Sequence, residues 1–200
     1  MGTRGFIAFV VDATEKTAYN HWDSYPQGLG LEVLGWLRAA SDSIDALRER
    51  ARALRVVDPD SEPTPADIAR LTRCLGPGAA TGRLDDWHML LRQTEGRPHL
   101  MLEVGVIEDA GDFPLDSLYA EWGYVIDLDA ETFEVYRGFQ TAPHGKGRFA
   151  HRAADSPQRV TSSTYYPVAL VTGWALNALP SDTAFLNALS GGRGDDEGAP

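Results

Sequence analysis

Residues 5 to 11 read Gly-Phe-Ile-Ala-Phe-Val-Val, an apolar run that is long enough to form a buried strand. β-Branched and aromatic side chains dominate the run, and a polar turn signal follows it, as is typical of a central strand. Asp12 to Lys16 therefore predict a turn, and Thr17 to His21 predict a returning strand. Together these segments predict a β-hairpin.

The register of this hairpin depends on the length of its loop. A loop of four residues, Asp12 to Glu15, gives the cross-strand pairs Val11 with Lys16, Phe6 with His21 and Arg4 with Asp23. A slip of one residue would move every side chain to the opposite face of the sheet. Arg4 is therefore expected across the hairpin from the end of the returning strand.

The returning strand leads into Tyr-Asn-His-Trp-Asp-Ser-Tyr-Pro-Gln-Gly-Leu-Gly at positions 19 to 30, the densest group of reactive side chains in the sequence. On a continuing strand, His21 and Asp23 would project from the same face, with Trp22 opposite. An imidazole beside a carboxylate forms a general base with its orienting partner, or half of a metal site. The pattern predicts catalytic roles for His21 and Asp23, and ligand binding by Arg4, Trp22 and Tyr25.

The sequence contains neither a recognisable hydrolase nucleophile nor a complete metal site. A Gly-x-Ser-x-Gly elbow, which would present a nucleophilic serine, is absent. Further metal ligands would have to come from other elements, where the candidates are Asp127, Glu134, His144 and His151. Metal and cofactor therefore stay open. The alternative is a purely structural motif, with its aromatic rings against the core, His21 on a buried carbonyl group and Asp23 paired with Arg4.

The rest of the chain predicts an α+β fold. Apolar residues recur at three- and four-residue spacing from about residue 29 to 55, which predicts one long amphipathic helix. Shorter helices are predicted from Pro65 to Leu75, from about Leu84 to before Gly96, and from the N-cap Ser181 to Leu189. Strands at 99–107 and 166–174 and a second hairpin complete an antiparallel or mixed sheet, which the long helix covers.

The second hairpin joins residues 122–128 to residues 132–139 through Asp129-Ala130-Glu131. In the expected register, an apolar face forms and two acidic residues meet on the other face, through the pairs Leu128 with Phe133, Ile126 with Val135 and Asp127 with Glu134. Directly opposed carboxylates cost stability unless they reach water, an arginine, a shared proton or a metal ion. Exposure to water is the expected outcome.

Residues 140 to 164 are polar and irregular, and they predict a long loop whose local charge is positive. Lys146 and Arg148 are its candidate ligand-binding residues. A cationic loop on an acidic protein attracts phosphate or another acidic group. The alternative is a mobile loop without a ligand.

Composition sets further bounds. The 200 residues, 43% of them hydrophobic, predict one globular domain at 1–190 with a disordered tail at 191–200. A net charge of −11 opposes non-specific binding to nucleic acids and to anionic membrane surfaces. The single cysteine, Cys74, excludes an intrachain disulfide, and no apolar run is long enough to span a bilayer. We expect a cytoplasmic protein without a membrane partner, which binds a small molecule or another protein.

The N-terminal motif resembles a recurring family of uncharacterised bacterial and phage proteins. The resemblance lies in Thr3-Arg4-Gly5, a short hairpin and then His21-Trp22-Asp23-Ser24-Tyr25-Pro26-Gln27-Gly28. That family opens with a strand of Ser or Thr, Arg and Gly, and continues to a His-x-Asp-Gly/Ser-Tyr-Pro-x-Gly motif. The resemblance implies that Arg4, His21, Asp23 and Tyr25 act together, and it implies no particular activity.

Two functions are compatible with these patterns. The first is a ligand-binding protein or small enzyme with its site at the end of the N-terminal hairpin, where Arg4 holds the anionic group of a phosphorylated or nucleotide-like ligand. The alternative is a phage-derived or bacterial defence-related interaction module without catalytic activity. Such a module would bind a basic partner through its acidic surface and the exposed side of the long helix.

Overall fold

The structure is a computed structural model that describes residues 2–40, 43–75, 86–152 and 165–190. The strands are β1 (Gly5–Val11), β2 (Thr14–Asn20), β3 (Arg55–Val57), β4 (Val106–Glu108), β5 (Trp122–Asp127), β6 (Thr132–Arg137) and β7 (Ala169–Ala175). The helices are α1 (Leu31–Ala40), α2 (Ile44–Ala53), α3 (Pro65–Leu75), α4 (Trp87–Leu91), α5 (Pro98–Val104) and α6 (Asp182–Ser190). A five-stranded mixed sheet has the order β2-β1-β5-β6-β7, and β3 and β4 form a two-stranded sheet. The predicted α+β fold is confirmed.

The apolar run of β1 lies at the centre of the molecule. β1 pairs with β2 on one side, antiparallel, and with β5 on the other, parallel, and all seven of its residues are buried. Phe9 belongs to the core that α1, α2 and α6 cover, whereas Phe6 belongs to a second core on the opposite face of the sheet. Burial on both faces explains why this strand is apolar throughout instead of alternating.

The turn of the first hairpin is tighter than the sequence predicts. Val11 pairs with Thr14, so the loop holds only Asp12 and Ala13, at φ angles of 51° and 57°. The carboxylate of Asp129, from the second hairpin, accepts hydrogen bonds from both of their N–H groups at 3.0 and 2.8 Å. Two consecutive positive φ angles are what a type I′ hairpin turn requires. The predicted four-residue loop is therefore wrong.

The register of this hairpin is shifted by two residues from the predicted one. Phe6 pairs with Tyr19 rather than with His21, and β2 ends at Asn20. The predicted pairing of Arg4 with Asp23 is consequently wrong. Because side chains on a strand alternate with a period of two, this shift leaves every β2 side chain on its predicted face.

The second hairpin shows the same kind of shift. Ile126 pairs with Phe133 and Asp127 with Thr132, so Asp127 does not lie directly opposite Glu134 as predicted. The carboxylate of Asp127 instead accepts the N–H groups of Asp129 and Ala130 at 3.0 and 2.8 Å, which tightens the turn. The predicted apolar face is preserved, since the shift is again two residues.

The single helix predicted over residues 29–55 is divided. Pro26–Gly30 forms a π-helical turn, α1 follows directly, and α2 begins at Ile44. Residues 41 and 42 lie outside the described ranges. The sequence Ser-Asp-Ser at 41–43 consists of residues that favour helix N-caps over helix interiors. Ser43 has a φ of −146°, outside the helical range, and α2 begins after it as a separate helix.

Basic side chains fasten α2 to the hairpins. The ammonium group of Lys16 donates to three carbonyl groups at the C-terminal end of α2, at 2.6 to 2.9 Å. Arg48 pairs with Glu131 at 3.0 Å, and Arg52 pairs with Asp12 at 2.6 Å. These bonds hold α2 against the two hairpins.

The strand predicted at 99–107 is mostly helix. α5 occupies residues 98–104, and only β4 at its end is extended. Pro98 stands in the first helical turn, where its missing N–H is not needed. Gly105, at a φ of 65°, ends the helix and donates its N–H to the carbonyl of Met101 at 3.0 Å. These two terminal signals decide the local structure against the weak alternation of apolar residues.

The other predicted elements are found with small changes in their bounds. α3 matches its prediction, and Ser181 caps α6 by accepting the N–H of Ala184 at 3.3 Å. The helix predicted from residue 84 appears as α4 and a 3₁₀ turn at Arg92–Thr94. Residues 76–85, 153–164 and the predicted tail at 191–200 lie outside the described ranges. No helix within those ranges has both the length and the apolar character to cross a bilayer.

Candidate functional site

A buried pair of hydrogen bonds shapes the chain after β2. The side-chain amide of Asn20 donates to the hydroxyl of Ser24 at 2.7 Å, and also to the carbonyl oxygen of Trp22. The hydroxyl of Tyr124 donates to the carbonyl of Ser24 at 2.8 Å, and complete burial raises the pKa of Tyr124 so that it remains a donor. Asn20 and Ser24 are both buried, so the chain folds back on itself at this point. We call residues 20–30 the Asn20 loop.

Gly28 closes the Asn20 loop. The N–H of Leu29 donates to the carbonyl oxygen of Asp23 at 2.8 Å, and the N–H of Gly28 donates to the carbonyl of Tyr25 at 3.0 Å. A β-carbon at position 28 would overlap the carbonyl oxygen of Asp23. Asp23 itself has a φ of 52°, so the chain reverses there and the strand geometry does not continue. The glycine is therefore required for close approach of two backbone segments.

A cleft of about 500 Å³ lies between the Asn20 loop and the segment from Arg92 to Arg97. This volume is within the range of small-molecule sites. Its walls combine aromatic, acidic, basic and amide side chains, contributed by Asn20, Trp22, Asp23, Tyr25, Glu32, Arg92, Glu95 and Arg97. Trp22 is 56% exposed and Tyr25 is 38% exposed, which is unusual for such large apolar rings.

The two arginines of the cleft are not paired with its carboxylates. The guanidinium groups of Arg92 and Arg97 form no ion pair with any other residue that the structure describes. The carboxylate of Glu95 contacts two histidines instead. One of its oxygens accepts the backbone N–H of His21 at 3.4 Å, and the other lies 3.7 Å from His88 Nδ1. The two arginines are therefore available to an anionic group.

His21 lies beside the cleft and does not form the predicted dyad with Asp23. Its Nδ1 is 2.9 Å from the hydroxyl of Tyr19, and its ring meets the Trp22 ring edge-on with 4.3 Å between centroids. Among the hydrogen bonds of the described residues, none joins His21 to Asp23. The prediction assumed a continuing strand, whereas β2 ends before His21 and the chain reverses at Asp23. The imidazole thus positions Tyr19 and Trp22.

Arg4 does not line the cleft and contacts Tyr119 and Glu121 instead. Its guanidinium stacks over the Tyr119 ring at 4.6 Å from the centroid, and the backbone N–H of Arg4 donates to the Glu121 carboxylate at 3.2 Å. Burial raises the pKa of Tyr19, and the nearby Arg4 charge opposes that rise. Arg4 is therefore close enough to Tyr19 to act on its charge, but it does not line the cleft with Trp22.

Arg148 occupies an internal ion cluster and is not free to bind a ligand. Its guanidinium bonds to Asp127 at 2.6 Å and to Glu134 at 2.9 Å. Burial opposes ionisation of Asp127, yet the hydrogen bonds from Ala130 and Arg148 hold the pKa of Asp127 below its ordinary value. The acidic pair of the second hairpin is thus satisfied by an arginine, where exposure to water was predicted.

The remaining candidates do not join the cleft. Lys146 is exposed on the segment that precedes Arg148, and His144 Nε2 is 2.7 Å from the carbonyl oxygen of Pro167. In the part of the chain that the structure describes, no group of three or more His, Cys, Asp or Glu side chains could hold a metal ion. Asp127, Glu134 and His144 have the partners given above instead.

Five polar side chains of the cleft are not among the residues that the sequence predicts for the site: Asn20, Glu32, Arg92, Glu95 and Arg97. One signal could have found the second wall, because Gly96 interrupts the run of polar residues from Arg92 to Arg97 and has a φ of 68°. A β-carbon on Gly96 would meet the Asn20 side-chain oxygen, so this turn packs directly on the Asn20 loop.

Comparisons of the chain with protein-family models, with curated proteins and with solved structures find no match.

Proposed function

We propose that the protein binds a small phosphorylated, nucleotide-like ligand in the cleft beside the N-terminal hairpin. The observation that carries this function is the presence of two exposed aromatic rings and two arginines without ion partners among the described residues, all on one cleft of about 500 Å³. Rings that remain exposed at a concave surface offer faces on which a planar group can stack.

Each kind of lining residue has a counterpart in a nucleoside phosphate. Trp22 and Tyr25 fit the base, since stacking on aromatic side chains tolerates any planar ring. Arg92 and Arg97 fit the phosphate group, to which guanidinium groups donate paired hydrogen bonds. The carboxylates of the cleft, such as Glu32, fit the ribose hydroxyl groups as hydrogen-bond acceptors. A simple phosphate ion would leave the aromatic and acidic walls without a role.

The geometry supports binding more than catalysis. A general base needs a side chain within hydrogen-bond reach of the proton that it takes. His21 uses its Nδ1 on Tyr19 and does not bond to Asp23, so the base and orienting carboxylate predicted from the sequence are not assembled. We therefore propose a binding role and assign no reaction. We also propose a cytoplasmic location, since the single cysteine is unpaired.

The alternative function, an interaction module of phage or bacterial defence origin, has less support. It relies on the exposed side of the predicted long helix, and in α2, which forms part of that segment, Arg48 and Arg52 are held in intramolecular ion pairs with Glu131 and Asp12. Groups that already have partners within the molecule contribute little to a new interface. The acidic net charge of −11 is the remaining argument for a basic partner.

A thermal-shift screen tests the proposed function. The probes are the four common ribonucleoside monophosphates, their nucleosides and inorganic phosphate, each added to wild type, Trp22→Ala and Arg97→Gln. A ligand that binds only the folded state raises the melting temperature. We expect a nucleotide to stabilise wild type and to stabilise both variants less, whereas Arg73→Gln, exposed on α3, should respond as wild type does. Equal responses in all four proteins would contradict the proposed site.

A further inference from the structure

A second concave site lies where α1, α2 and α5 meet. This groove has a volume of about 290 Å³ and shares no described lining residue with the cleft. Its apolar lining includes the buried Leu102 of α5 and two exposed alanines, Ala39 of α1 and Ala46 of α2. The half-buried Trp36 forms a wall and packs edge-on against the core residue Phe9, with 6.4 Å between ring centroids. The groove is open because the alanines of its lining are small beside the Trp36 ring.

Two nitrogen-rich side chains stand at the rim of this groove. Arg50 belongs to α2 and His99 to α5, and both are exposed. Neither side chain has a hydrogen bond or ion pair with any residue in the described ranges. Ser43, which stands at the N-cap position of α2, also leaves its hydroxyl uncommitted to the helix. The rim therefore offers donors from two helices to a ligand in the groove.

The described lining of the groove differs in charge from that of the cleft. The chain has 29 Asp and Glu residues, and three of them, Asp23, Glu32 and Glu95, line the cleft. None of the described residues that line the groove is acidic. An apolar floor with cationic donors at one rim is complementary to a ligand that has an apolar chain and one negative end.

We propose that this groove binds a medium-chain carboxylate. The alkyl chain lies on Ala39, Ala46 and Leu102, where each buried methylene group adds to affinity. The carboxylate accepts two hydrogen bonds from the Arg50 guanidinium, a geometry that arginine favours over lysine. The groove is near the lower limit of ligand pockets, about 300 Å³, which suits a single unbranched chain better than a bulky ring system.

Octanoate is the probe that tests this site, by calorimetric titration of the full chain. We expect saturable binding with one site per chain. Arg50→Gln should weaken that binding by about tenfold or more, because a charge-assisted pair is lost. Ala46→Phe, an exposed position on α2, should abolish it by filling the groove. Arg73→Gln, exposed on α3, is the matched control and should bind octanoate as wild type does.

Three outcomes would overturn the proposal. The first is the absence of saturable octanoate binding to wild type. The second is equally tight binding of octan-1-ol, which would show that the carboxylate does not contribute to affinity. The third is unchanged octanoate binding in Arg50→Gln or in Ala46→Phe. Trp22→Ala should leave octanoate binding intact, so this site and the nucleotide cleft stand or fall separately.

Discussion

The side-chain amide of Asn20 and the hydroxyl of Ser24 are 2.7 Å apart at the buried base of the loop that follows β2. This hydrogen bond divides the residues of the motif into two groups. Asn20 and Ser24 are buried and build the loop, whereas Trp22 and Tyr25 are exposed and face a cleft. A buried polar pair with good geometry fixes one loop conformation, because each group would lose its partner in any other.

Asn20→Asp tests the role of that pair. The substitution removes the donor and puts a carboxylate next to two oxygen atoms, the Ser24 hydroxyl and the Trp22 carbonyl. We expect the free energy of unfolding in urea to fall by about 2 kcal/mol. Asn177→Asp, at an exposed position, should change it by less than about 0.5 kcal/mol. Similar losses in both variants would show that the buried hydrogen bonds are not the cause.

Gly28→Ala tests the closure of the loop. A methyl group at this position overlaps the carbonyl oxygen of Asp23, whereas a methyl group on Gly35 in α1 meets nothing within 4 Å. Gly28→Ala should therefore destabilise the protein by about 1–3 kcal/mol. Gly35→Ala should stabilise it by about 0.5–1 kcal/mol, since alanine is the better helix former. Chemical denaturation of both variants checks the opposite signs, and stabilisation by both would contradict the loop geometry.

Ala13→Gly tests the two-residue turn of the first hairpin. Ala13 has a φ of 57°, which costs about 1–2 kcal/mol for a residue with a β-carbon. Glycine adopts this angle freely, and Asp-Gly is a preferred type I′ turn sequence. We expect a gain of about 1 kcal/mol in the free energy of unfolding. A loss of stability would contradict the two-residue turn and favour the four-residue loop, with the register that the sequence predicts.

Asp127→Asn tests the ion cluster of the second hairpin through its pH dependence. The pKa of Asp127 is lowered in the folded protein, so its charge stabilises the fold above the unfolded-state value of about 3.9. That contribution is lost as the pH falls through the lower, folded-state pKa. Wild type should exceed Asp127→Asn by about 2 kcal/mol at pH 6, and the difference should shrink below about pH 4.

The control for this experiment is Asp45→Asn. Asp45 pairs with Arg48, but its side chain is 97% exposed. Exposed ion pairs contribute about 0–1 kcal/mol, so this variant should stay close to wild type at both pH values. A wild-type advantage over Asp127→Asn that stays constant down to pH 2 would contradict the assignment of the acid sensitivity to Asp127.

The sequence predicts the central strands of the fold, but it does not predict the registers of the two hairpins. The apolar run at 5–11 and the alternation at 122–128 identify the central strands, because burial and side-chain period are local signals. The turn at Asp12 and Ala13 could not be predicted, because its N–H groups bind Asp129, a residue 116 positions away from Ala13. Tertiary contacts of this kind decide the length of a hairpin loop.

The sequence points to the end of the N-terminal hairpin, where the cleft that we propose as the binding site lies, but it identifies only one wall of that cleft. Trp22, Asp23 and Tyr25 line the cleft as the first wall. Arg92 and Arg97 form the second wall, and they lie about 70 positions further along the chain, in a turn with no local signal beyond Gly96. Sequence spacing also predicted a pairing of His21 with Asp23, which fails because the strand ends first.

The nucleotide site is tested most directly by calorimetric titration of the four ribonucleoside monophosphates into wild type and into the double variant Arg92→Gln/Arg97→Gln. Both arginines are exposed, so the double variant should fold as wild type does. At least one nucleotide should bind wild type at a single saturable site, and the double variant should bind it at least about tenfold more weakly, because the phosphate loses its charge-assisted hydrogen bonds. Failure of all four nucleotides to bind wild type, or equal affinity in the double variant, would contradict a nucleotide site in the cleft.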